Sequence, residues 1–273
     1  MMDFTPSPHI QFSADFQAVI DAAMEAKQQA EPPRTYLGAS RLGDECERKL
    51  AYEFHHTAKD EGSHFPGKTL RIFDMGHDGE TRVAAYLRLA GFTLLTERPD
   101  GKQFGFAIGW DDEQQRYRIS GHCDGVITAT PVINGSGMFE VPSLWENKAL
   151  GGKSWKDTVA KGVRKSKPVY YVQMQLYQAY LGLTGAPGLF TALNRDTGEI
   201  YAELVPFDAA SAQVASDRGA RVVSTLTPDE ASKIARDQTD FRCKFCDFSS
   251  TCWQQPDVPV DAPAGAPGEW WGA

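Results

Sequence analysis

The sequence predicts a mixed α/β fold in which helices flank a central mixed β-sheet. Three observations carry that reading. Apolar residues recur at helical spacing through the first ninety positions, short β-branched and aromatic runs fill 92–150, and helical stretches alternate with two further strands beyond 150. With 41% of 273 residues apolar and 23% charged, the chain can bury a core, which excludes disorder as the whole account. It reads as one domain over 1–255, followed by a tail rich in Pro, Gly and Ala over 256–273.

Each element has its own signal. Residues 14–30 are expected to form a packing helix capped by Ser13 and stopped by the prolines of EPPR. Asp44 is positioned to cap a second helix, ECERKLAYEF. A loop rich in His, Gly and Pro leads to a third helix over 69–90, which Gly91 ends. FTLLTE, QFGFAIGW, RYRIS, DGVITAT and SLWENKAL are short and separated by Gly, Pro, Asp and Asn, as in a sheet made largely of hairpins. Helices SWKDTVAKGV and PVYYVQMQLYQAYLGL follow. Strands GLFTALNR and GEIYAELVPF come next, joined by a turn at Asp196-Thr197-Gly198, and helices are expected over 208–222 and 228–237.

Composition narrows the function classes. Lys plus Arg number 28 against 36 Asp plus Glu, a net charge of -8, which excludes a surface coated with positive charge for non-specific nucleic-acid binding. No apolar run approaches the roughly 18 residues that span a bilayer, and MMDFTPSPHIQF lacks the order of a secretory signal. A cytoplasmic location without membrane partners is expected. Five cysteines, an odd number in a reducing compartment, point to metal ligation rather than a disulfide framework.

Ionisable residues then recur where a core is expected. On the third helix Phe73, His77, Glu80, Ala84 and Leu87 form one stripe, with Ile72, Val83 and Ala90 beside it, so an imidazole and a carboxylate share its inward face. Such groups are either paired with each other or bound to metal. Asp124 follows in GHCDGVI. In SLWENKAL, strand alternation puts Glu146 and Lys148 on one face and Asn147 on the other. Carboxylates brought together repel unless a hard cation such as magnesium takes their oxygens, and an adjacent lysine can stabilise charge on a phosphate. Tyr170, Gln173, Tyr177 and Leu181 share a face of a later helix, where a lone amide requires a specific partner.

With MGHDGE, GHCDG, Glu146-Asn147-Lys148 and Gln173-x-x-x-Tyr177 in this order, the sequence resembles the PD-(D/E)XK nuclease superfamily, in particular its RecB-like exonuclease branch. The resemblance spans most of the chain and implies a restriction-endonuclease-like core. It implies metal binding by His77, Asp124, Glu146 and the main-chain carbonyl of Asn147, with Mg²⁺ or Mn²⁺ as the ion. Asp124, Glu146 and Lys148 would be catalytic, and Gln173 and Tyr177 would touch substrate or brace the site. The implied activity is a DNA exonuclease serving end processing, recombination and repair, or CRISPR adaptation. A structure-selective endonuclease on the same site, or a non-cleaving redox-sensing DNA-binding subunit, are the alternatives.

Cys243, Cys246 and Cys252 form C-x2-C-x5-C, and Cys46 lies far upstream. Four thiolates suit structural zinc or an iron-sulfur cluster, and spacing alone leaves both open. A solitary remote cysteine with a C-terminal triplet, and Arg48 in SRLGDECERKLAYEF, resemble the iron-sulfur members of the branch. A 4Fe-4S cluster is therefore implied, joining the N- and C-terminal segments around a loop of nearly 200 residues. By analogy with disulfides such closure stabilises on the order of 5 kcal/mol. Cys123 reads as a buried small residue. Lys148, Lys153, Lys156, Lys161, Arg164, Lys165 and Lys167 meet only one acid, Asp157, and form a candidate phosphate track. Gly151-Gly152 would let this loop approach a nucleic-acid backbone, and Trp155 and Tyr170 would stack on bases. The tail tip Glu269-Trp270-Trp271 reads either as a peptide ligand for a recombination or single-strand-binding protein or as a sticky end without function.

Overall fold

The computed structural model describes residues 8–254. In chain order the elements are α1 (Pro8–Ala30), β1 (Leu37–Gly38), α2 (Glu47–Phe54), α3 (Gly67–Leu89), β2 (Thr93–Leu95), β3 (Gly105–Asp111), β4 (Arg116–His122), β5 (Gly125–Ala129), β6 (Val132–Ile133), β7 (Ser136–Gly137), β8 (Ser143–Leu150), α4 (Gly152–Ser166), α5 (Pro168–Tyr180), β9 (Gly188–Asn194), β10 (Ile200–Val205), α6 (Ala209–Val223) and α7 (Ser249–Gln254). The tail and its tryptophans lie outside the described residues. None of the described helices is long and apolar enough to cross a membrane.

The central sheet has the order β10-β9-β8-β5-β2. It is mixed: β8 and β9 run parallel and the other neighbours antiparallel. A parallel pair needs a long crossover, and α4 and α5 supply it. Helices cover both faces. On one, Met174 and Tyr177 of α5 pack with Leu144, Phe190 and Ala192; on the other, Val83 and Ala84 of α3 pack with Ile127, Trp145 and Leu189.

The expectation of one sheet of hairpins is corrected. Strand β4 pairs with β3 on one side and with β1 on the other in a separate three-stranded sheet. The chain changes sheets at Cys123-Asp124: the Cys123 amide still donates to Phe104 O (2.9 Å), the last rung beside β3, and from Gly125 onward the strand pairs with β8 instead. This break is what brings Asp124 to the junction between the sheets.

Several helix ends also differ. Helix α1 begins at Pro8, so Ser13 lies inside it and caps nothing, and apart from Ile20 and a few residues after it the helix is exposed. Asp44 does not cap α2 directly: its Oδ1 accepts from Cys46 N (3.1 Å) and its Oδ2 from Lys49 Nζ (2.8 Å). Only a single 3-10 turn, Pro228–Glu230, forms where a helix was expected over 228–237. The carbonyls that would sustain that helix are taken by α2. Arg48 donates to Asp229 O (2.6 Å) and Ala231 O (2.7 Å), and the Arg48 amide donates to Ser232 O (3.0 Å).

Candidate active site

Strand β8 builds the centre of the site. Its alternation sends Trp145 and Asn147 to the α3 side, where Thr191 Oγ1 accepts from Trp145 Nε1 (3.0 Å) and donates to Asn147 Oδ1 (2.8 Å). Glu146 and Lys148 face α5. Lys148 Nζ ion-pairs with Glu146 Oε1 and stands 5.2 Å from the centre of the Tyr170 ring. Gln173 Nε2 donates to the same Glu146 oxygen (2.8 Å) and to Tyr177 Oη (3.3 Å). Asp124 reaches β8 through its Oδ2, which accepts from the Asn147 amide at 2.7 Å. The structure thus brings Asp124, Glu146, Lys148, Gln173 and Tyr177 together.

Helix α3 contributes differently from the reading of its sequence. Gly79 is its point of closest approach: a Cβ there would sit 3.2 Å from Ala149 Cβ and 3.3 Å from Leu193 Cδ2. That contact sets Glu80 beside the carboxylates. The first turns of α3 lean on α1, with Gly67 packed against Asp21 and Arg71 paired with it. Phe73 and His77 are consequently exposed, so the imidazole does not share a buried face with Glu80. His77 remains close enough to Asp124 to draw its pKa down.

Burial dominates the electrostatics. It raises the Glu146 pKa to about 8, helped by Asp124 and opposed by Lys148. Glu80 is raised to about 7 by burial and by Asp124. Asp124 is raised by burial against the pull of Lys148 and the Asn147 amide. Burial works against the Lys148 ammonium, but Glu146 and Asp124 outweigh it and raise its pKa. Glu146 is fully buried, and its Oε2 has no hydrogen-bond partner among the described residues. As placed, no three His, Cys, Asp or Glu side chains among the described residues form a group that would hold an ion.

The basic segment is carried by α4, which is interrupted at Gly162 (φ 74°). Lys153, Lys156, Lys161, Arg164 and Lys165 are exposed. Two of them already have acidic partners, Lys161 with Asp157 (2.6 Å) and Arg164 with Asp208 (3.2 Å). Two expectations for this region are corrected. The Gly152 amide donates to Asp196 Oδ2 (2.8 Å), so an acid occupies the approach assigned to a phosphate. Trp155 packs against the core and donates to Ala192 O (2.8 Å), which removes it from base stacking.

Cys46, Cys243, Cys246 and Cys252 line one cavity of about 490 Å³, together with Lys49, Lys233 and Arg242. Burial raises the thiol pKa values of Cys246 and Cys252, while Lys49 lowers the first and Lys233 the second. Cys123 is buried beneath Asp124, with its Sγ 3.7 Å from Gly125 O.

No protein-family model matches the chain, and no curated protein sequence does. Among solved structures it is similar to SSO0001, at 16% identity over 88% of this chain and 97% of that one, with a TM-score of 0.46. It is also similar to an alkaline exonuclease, LHK-Exo, from Laribacter hongkongensis, at 16% identity over 76% of this chain and 91% of that one (TM-score 0.43). The same exonuclease in complex with dAMP gives 14% identity over the same shares and a TM-score of 0.41.

Proposed function

We propose that the chain is a metal-dependent nuclease that hydrolyses phosphodiester bonds in DNA, acting as an exonuclease. One observation carries the reading: Asp124, Glu146 and Glu80 are gathered around a single half-buried ammonium, and Glu146 Oε2 is left unpartnered. One positive charge does not balance three carboxylates. Hard oxygen donors with an orphaned lone pair suit Mg²⁺ or Mn²⁺. Asp124, Glu146 and the Asn147 carbonyl, with Glu80 or His77 from α3, are the groups that would hold the ion. Such an ion supplies Lewis acidity toward a phosphoryl oxygen and acidifies water.

The chain's own residues have separate tasks in this proposal. Lys148, kept protonated by its acidic neighbours, offers an N–H to the negative charge that grows on the phosphate. Gln173 orients Glu146 through Oε1, and Tyr177 braces Gln173. The exposed lysines and arginine of α4, which follows directly from β8, would follow the DNA backbone. The test is hydrolysis of 5'- and 3'-labelled single and double strands with Mg²⁺ or Mn²⁺, against Glu146→Ala. Label-dependent mononucleotide release marks an exonuclease, internal fragments an endonuclease. Activity that survives Glu146→Ala refutes the assignment of the site.

For the cysteine cavity we propose a 4Fe-4S cluster, with structural Zn²⁺ as the alternative. Four cysteines lining one cavity, with cationic side chains around it, suit an anionic thiolate centre. Metal analysis and visible absorption of the purified chain distinguish iron from zinc. Cys46→Ala and Cys252→Ala should each lose the metal and lower solubility, and full metal content in both variants contradicts the proposal.

A further inference from the structure

Helix α1 is anchored to the body by one face. Asp21 pairs with Arg71, Glu25 Oε1 accepts from the Gly67 amide (2.7 Å), and Ile20, Met24 and Gln28 are partly covered. At about 100° per residue the opposite face carries Phe12, Phe16, Val19, Ala23, Ala26 and Ala30. These six recur at alternating steps of four and three, the spacing of a coiled-coil seam. Every one of them is exposed, Phe12 at 69%, Phe16 at 58% and Val19 at 72%. No charged residue interrupts the stripe.

The seam is graded, with bulky side chains at its N-terminal end and alanines at its C-terminal end. We infer that its occupant is α1 of a second copy of this chain, packed antiparallel. A two-fold axis beside residue 21 sets Phe12 against Ala30 of the second copy, Phe16 against Ala26, and Val19 against Ala23. Each layer then joins a large side chain to a small one, the alternation that lets close-packed helices interdigitate. The contact is isologous, so each layer occurs twice. A parallel pair would instead stack Phe12 on Phe12 and leave the alanine end hollow. A phenylalanine hides about 150–250 Å² when fully buried. Four partly covered rings and the aliphatic remainder therefore come close to the roughly 1,200 Å² of the smallest stable interfaces, which makes the dimer concentration-dependent.

Sedimentation velocity on the full chain, from about 1 μM to about 1 mM, tests this within the affinity window of so small an interface. The wild-type chain should pass from monomer to dimer. Phe16→Ala should weaken the dimer about tenfold or more by opening two cavities. Ala26→Phe should weaken it comparably, because the new ring meets Phe16 of the second copy. The double variant Phe16→Ala/Ala26→Phe exchanges large for small within one layer and should recover the wild-type dissociation constant. All these positions are exposed, and circular dichroism checks that each variant keeps its helix content. A wild-type monomer throughout the range, whatever else covers the stripe, overturns the inference. So do single variants that dimerise normally, or a double variant that stays as weak as the singles.

Discussion

Gln173 donates to Glu146, and in the proposed nuclease this separates two kinds of loss at the site. Gln173→Leu keeps the apolar packing of α5 but removes the N–H that steadies Glu146 Oε1. Initial-rate kinetics should show kcat lower by roughly 10–100-fold with KM nearly unchanged, as for other groups that orient a ligand. The carboxylates also set a pH dependence of stability. Glu146 and Glu80 are raised from 4.5 to about 8 and about 7, and Asp124 is raised from 3.8. The folded chain therefore holds protons that the unfolded chain has released, and without divalent cations stability falls as the pH rises from about 4 to about 8. Thermal denaturation in EDTA should give a Tm a few °C lower at pH 8 than at pH 6. Mg²⁺ should raise it more at pH 8, where the carboxylates are free to bind. Much of this cluster was legible in the sequence, because a two-residue repeat puts Glu146 and Lys148 on one face and a four-residue repeat does the same for Gln173 and Tyr177. The greater burial of Glu80 relative to His77 was not. It depends on where α3 touches the sheet, at Gly79, and helical periodicity says nothing about that.

Among the elements, α4 combines a broken backbone with the charged segment. Gly162 has φ 74°, and a Cβ there would lie 3.0 Å from Glu203 Oε1, whose partner oxygen accepts from the Val163 amide at 2.7 Å. Gly162→Ala should cost about 1–3 kcal/mol, read as a lower denaturation midpoint. Replacing Lys161, Arg164 and Lys165 together with alanine should weaken DNA binding more than turnover. Because Asp157 and Asp208 already partly neutralise the first two, the slope of log affinity against log salt should drop by less than the roughly three units expected of three free cations. The positions of the long helices and of β8, β9 and β10 follow from periodicity and turn residues. Assignment of β3 and β4 to a second sheet, and the loss of the helix expected over 228–237, depend on partners distant in the chain. Local propensity carries no record of those partners.

At the scale of the molecule, α2 and the loop after it are fastened to the C-terminal end of the described chain. Arg48 is buried and binds the 229–231 segment, Tyr52 packs on Phe248 at 5.2 Å, and Asp60 accepts from the Ser250 and Thr251 amides. Arg48→Ala leaves buried carbonyls and Asp229 without their partner and should cost about 3–5 kcal/mol, a fall in Tm of about 10 °C by differential scanning calorimetry. The same fastening has a consequence for biosynthesis. Because α2 is completed by carbonyls and a carboxylate about 180 positions downstream, a ribosome must deliver the 229–232 segment before α2 can lock. Nascent chains halted before residue 229 should stay open to protease around α2, and one prolonged past residue 252 should close abruptly.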